Sequence, residues 1–142
     1  MAFCATRAGP FPFFREIFVS TISDALKGFD HFHDWYLDTI AIHGEVNPEV
    51  PDTFVLGLFD RERRVTITFR GVTRIGIENG GLLNIVNAIE TLKPDSDQYE
   101  RAEVLLRRSA HGPTRAGHVA YVHSSVGAEI AVEFDSMTIE SL

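Results

Sequence analysis

Two stretches between residues 53 and 70 alternate apolar and polar side chains. In VTITFR, Val65, Ile67 and Phe69 fall on one side and Thr66, Thr68 and Arg70 on the other, the pattern of a strand with one buried face. Residues 53–59 also read as a strand, and the charged tetrapeptide Asp60-Arg61-Glu62-Arg63 between the two predicts a hairpin loop. A two-residue turn at Gly71 would force Arg70 to positive φ. A bent or bulged continuation through Gly71 into VTRIGIE is therefore expected at least as strongly.

Elsewhere the period changes. Phe14, Ile17, Phe18, Ile22, Ala25 and Leu26 recur at helical spacing, predicting an amphipathic helix over 13–27 with Gly28 as a left-handed C-cap. Trp35, Leu37, Ile40 and Ile42 predict a strand over 35–42, ended by Gly44, Asn47, Pro48 and Pro51. LLNIVNAIETL satisfies both periods; Gly80 and Gly81 before it and a clearer helix after it favour strand. That helix has Asp95 and Gln98 at capping-box spacing, Tyr99, Ala102, Leu105 and Leu106 on one face, and Arg107 and Arg108 in its last turn. Two closing strands, GHVAYVHS and AEIAVEFD, flank a turn at Ser125-Val126-Gly127.

Sequential strands interrupted by few helices define an α+β chain: an antiparallel, twisted sheet with an N-terminal helix and a second helix between the middle and final strands, the helices covering one sheet face. Residues 1–142 are expected to form one domain. Its core should include Trp35, Leu37, Leu56, Leu58, Val65, Ile67, Phe69, Ile130, Val132 and Phe134.

Charge narrows the function classes. A net charge of −7 repels phosphate backbones and anionic lipid, so neither nucleic acid nor membrane is an expected partner. The single cysteine, Cys4, precludes an intramolecular disulfide and a cysteine-based zinc site. The N-terminal stretch lacks the apolar run of a signal peptide and no segment is apolar enough to span a membrane, which predicts a cytoplasmic protein.

The densest reactive cluster is Asp30, His31, His33, Asp34 and Asp38 around Trp35. Imidazole with carboxylate is what zinc and iron sites use, so a metal-dependent hydrolase built on His31, His33 and Asp34 is one alternative. No HExxH-type motif supports it, and His33 and Asp34 would diverge in a strand. A strand entry in which Asp34 or His33 bonds backbone groups of the turn while Trp35 anchors the core is favoured, leaving His33, Asp34 and Asp38 as a candidate polar site with no metal and no cofactor. No nucleophile elbow surrounds Cys4 or Ser124-Ser125, and GIENGG lacks the lysine of a phosphate loop, so no catalytic residue is assigned.

In the last strand noted, Ile130, Val132 and Phe134 occupy one face and Glu129, Glu133 and Asp135 the other. That acidic face is a candidate surface for a basic protein partner; a solvated outer face is the simpler alternative. The phenylalanines near the N-terminus raise a further alternative, a self-associating subunit.

Taken together, FHDWYLDTI, VTITFRGV, NIVNAIETLKPDS and SSVGAEIAVEFDSMTIE resemble segments of a group of small bacterial α+β proteins, similar to the immunity proteins encoded beside polymorphic toxins. The resemblance spans residues 32–140. It implies a protein that binds another protein without a cofactor, and it favours strand for NIVNAIETL. No functional residue is carried over from it.

Overall fold

The computed structural model describes residues 19–110 and 112–142. Helix α1 (Val19–Lys27) is followed by β1 (Tyr36–His43), β2 (Thr53–Asp60), β3 (Arg63–Arg70), β4 (Arg74–Glu78) and β5 (Ile85–Leu92). Helix α2 (Tyr99–Leu106) precedes β6 (His118–Val126), β7 (Glu129–Phe134) and β8 (Ser136–Ser141). All eight strands form one antiparallel sheet in the order β4-β7-β6-β5-β1-β2-β3-β8. The α+β class with an N-terminal helix and a second helix between β5 and β6 is as the sequence predicts.

The sheet curls until its ends meet. At Gly71 the chain turns from β3 into β4, and at Asp135 from β7 into β8. Backbone bonds from Asp135 N–H to Arg70 O (2.9 Å) and from Thr73 N–H to Glu133 O (2.9 Å) carry the pairing around that corner. One bent ladder thus supplies β3–β8 on one side and β4–β7 on the other. Gly71 has φ +65°, and a Cβ there would fall 2.4 Å from the Asp135 carboxylate, so the corner requires glycine on both counts. The bent continuation expected at this glycine is what forms.

The curl encloses the core. Phe69 and Phe134 meet edge to face with centroids 4.9 Å apart, and all ten predicted core residues are at most 3% exposed. Ile22 and Leu26 of α1 join this cluster. Alternation along β6 sends Ala120 and Val122 inward but Val119 and Tyr121 outward, where they pack with Ala102, Leu105 and Leu106 of α2 and Ala131 of β7. The two helices therefore lie against opposite faces of the sheet, correcting the expectation that both cover one. Small residues let α2 approach: a Cβ on Gly76 would stand 2.4 Å from the Leu105 carbonyl oxygen. A backbone atom cannot swing aside as a side chain can. Gly76→Ala should accordingly cost about 1–3 kcal/mol as overpacking, read as a lowered urea midpoint with an unchanged m-value.

Other local expectations are refined. The 13–18 part of the first helix lies outside the described residues. Gly28 does not take the left-handed conformation; Asp30, His31 and Phe32 take it instead (φ 53°, 53° and 61°), as does Asp34 (66°). Each such residue costs about 1–2 kcal/mol. Opposing that cost, Phe32 is fully buried, stacks on Phe29 (4.8 Å) and meets the edge of Trp35 (5.0 Å). Helix α2 starts at Tyr99, with Gln98 as N-cap and no side-chain cap bond, so the Asp95–Gln98 capping box does not form. Ser96 Oγ instead donates to Lys93 O (2.7 Å), holding a turn ahead of the helix. The ambiguous LLNIVNAIETL is strand from Ile85 onward, as β5, and β8 is an element beyond those expected from the sequence.

Candidate functional site

Strand β1 leaves β5 almost at once: Tyr36 opposite Ile85 is their one ladder pair, supported by Leu37 N–H to Asn84 O (2.9 Å). Upstream, the left-handed turn runs beside β5. Asp34 N–H donates to Val86 O (2.8 Å) and Val86 N–H to Trp35 O (2.9 Å). Where no further ladder bonds can form, imidazoles supply them. His31 Nδ1 lies 3.1 Å from Ile89 O and His33 Nδ1 3.1 Å from Asn87 O. A carbonyl only accepts, so Nδ1 carries the proton in both rings. His33 Nε2 then faces Asp34 Oδ2 at 3.5 Å, with both side chains more than half exposed.

Asp38 is not part of this group. It turns to β3, where Arg64 grips it with two bonds (3.0 and 2.8 Å), and that guanidinium holds its carboxyl below the usual range. Arg64 also lies over Phe59, on which Tyr36 stacks (5.0 Å). Of the polar site read from the sequence, the structure joins His33 and Asp34 and places Asp38 elsewhere. Among the described residues no group of three or more His, Cys, Asp or Glu comes together to hold a metal. The arrangement fastens a strained turn to a strand.

The acidic face is also redistributed. Glu129 and Glu133 do point away from Ile130 and Val132, but toward α2 rather than solvent. Glu133 is 5% exposed and accepts from Arg74 Nε (3.1 Å), Arg74 Nη2 (2.8 Å) and Thr73 Oγ1 (2.6 Å). Arg74, itself 4% exposed, also bonds Glu103 of α2 (2.9 Å). Burial pushes the Glu133 carboxyl up, but the bonds from Arg74 and Thr73 outweigh it and leave the pKa lowered. Glu129 accepts from Arg101 (2.9 and 2.6 Å) and from the Tyr121 hydroxyl, and Arg101 lowers its pKa. Burial and the Glu129 carboxylate together raise the Tyr121 phenol. Arg101 and Arg108 both reach Glu78. Asp135 is exposed, at the corner beside Gly71. A signal for the covered face was present in the sequence: Gly76 and Ala131 are small, and Arg101 within α2 and Arg108 just past its end are basic residues beside it.

No pattern in the sequence marks the opening that β1 creates as it diverges from β5. A cavity of about 450 Å³ lies there, lined by Ile42, Pro51, Val72, Ile75 and Ile77 among others. Comparison with known protein families, with curated proteins and with solved structures found no match to this chain. No helix among the described residues is long and apolar enough to cross a membrane.

Proposed function

We propose that this chain is a protein-binding domain of the immunity type, non-enzymatic and without a cofactor, whose partner is a basic protein. The observation that carries the reading is the distribution of charge. Six arginines, Arg63, Arg64, Arg70, Arg74, Arg101 and Arg108, are committed to carboxylates within the fold. Asp95, Asp97, Glu100 and Asp135 are exposed and lie in none of these pairs. The negative field that remains steers a basic partner into encounter.

Glu133 is unsuited to a charge-reversal test because reversing it would disrupt the fold. The informative variant is Asp95→Lys with Asp97→Lys and Asp135→Lys. Basic proteins retained from the source cell on the immobilised full chain should associate with this variant about tenfold more slowly at low salt, the gap closing as salt rises. Equal association rates at low salt would overturn the reading.

A further inference from the structure

The opening beside β1 carries an inference that rests on the protein-binding reading and says where the partner sits. Among the described residues, β1 from Asp38 to His43 has a strand neighbour on its β2 side alone, since pairing with β5 stops at Tyr36. Such an edge presents N–H and C=O groups in the pattern that pairs another extended chain.

The side chains beside this edge are apolar and open. Ile40 and Ile42 stand opposite Leu56 and Phe54, and directly opposed residues share a face. Leu56 and Phe54 are fully buried, yet Ile40 and Ile42 are 41% and 56% exposed. Ile77 of β4, opposite fully buried Ile130, is 42% exposed. These are core-facing positions that the fold leaves uncovered. On the β4 side of the cavity, the N–H of Ile75 already donates to Ser109 Oγ (3.2 Å), so β4 is partly capped there, whereas no such side-chain bond meets the backbone of 38–43 among the described residues.

Charge sets the kind of chain that fits. The loop ending β1, residues 44–52, carries Glu45, Glu49 and Asp52 and no basic residue; Arg70, from β3, bonds Glu45 (2.9 Å). The geometry points to strand addition at β1 by an extended segment of a basic partner. Alternate apolar side chains of that segment lie over Ile40 and Ile42 and into the cavity, and a Lys or Arg at one end meets the acidic loop. A second copy of this chain, also at −7, is the poorer occupant on charge.

The probe is a short fluorescein-labelled peptide of alternating valine and threonine ending in Lys-Arg, titrated into the full chain and followed by anisotropy and amide NMR. It should bind, shifting amides of 38–43 and 72–77. Ile42→Lys should weaken it about tenfold, because an ammonium would be buried against the added strand. A peptide N-methylated at alternate residues should not bind, a control that leaves the protein unchanged. Absence of binding, undiminished binding of the N-methylated peptide, or shifts centred elsewhere would each overturn the inference. So would light scattering that shows a dimer made monomeric by Ile42→Lys, which would assign the edge to a second copy. A basic partner captured equally by wild type and Ile42→Lys would overturn this site while leaving the protein-binding reading intact.

Discussion

Replacing Arg74 with methionine is expected to destabilise the protein by about 3–5 kcal/mol in urea unfolding, a large share of what a domain this size possesses. The loss is not the attraction itself but what remains behind. Glu133, 5% exposed, would keep its charge beneath α2 with the Thr73 hydroxyl bond and the Arg115 charge left to balance it. Arg74→Met combined with Glu133→Leu should recover most of the loss, because an apolar pair escapes the desolvation that an ion pair must overcome. The dependence on pH has a definite sign. The folded pKa of Glu133 lies below its ordinary value, so the stability it contributes is present above the unfolded carboxyl pKa of about 4.3 and lost as pH falls through the folded pKa. In Arg74→Met burial is opposed only by the Thr73 bond and the Arg115 charge, so that pKa rises from its wild-type position. The stability gap between variant and wild type should therefore narrow in acid as Glu133 protonates.

The second large effect is expected at Phe134, where truncation to alanine should cost about 3–5 kcal/mol. The ring is fully buried, 4.9 Å from Phe69, where the two ends of the sheet meet. Relaxation cannot refill the space, because the bent ladder fixes the backbone on both sides of it. Calorimetry of Phe134→Ala beside Val55→Ala, a half-buried position outside the core cluster, separates core packing from general strand sensitivity.

What was legible in the sequence follows from how local the cause is. The strands β2 and β3 announce themselves through alternation, and the loop between them closes with Arg61 at φ 57° between the paired Asp60 and Arg63. The ten core residues follow from the same periodicities. Two features were not legible because their causes are distant in sequence. Alternation separated Glu129 and Glu133 from the core face correctly, but could not reveal that α2 would cover them, since Gly76 and Leu105 meet across a long stretch of chain. Likewise Ile40 and Ile42 have the pattern of buried residues, and their exposure follows from β5 turning away after Tyr36. The histidines were legible as a cluster, but their role was not, because the carbonyls they bond belong to Asn87 and Ile89.

The corner at Gly71 and Asp135 bears on the order in which the chain assembles. Hairpins β2–β3 and β6–β7 close over loops of a few residues, whereas joining Arg70 to Ser136 requires most of the intervening chain to be in place. Loop-closure entropy opposes such contacts until the hairpins are in place, so the seam is expected to form late, with a low φ-value at Phe134. Phe134 sits in that seam. Stopped-flow chevrons of Phe134→Ala should show its destabilisation almost wholly as faster unfolding with folding little changed, making this corner the point that sets the lifetime of the native state.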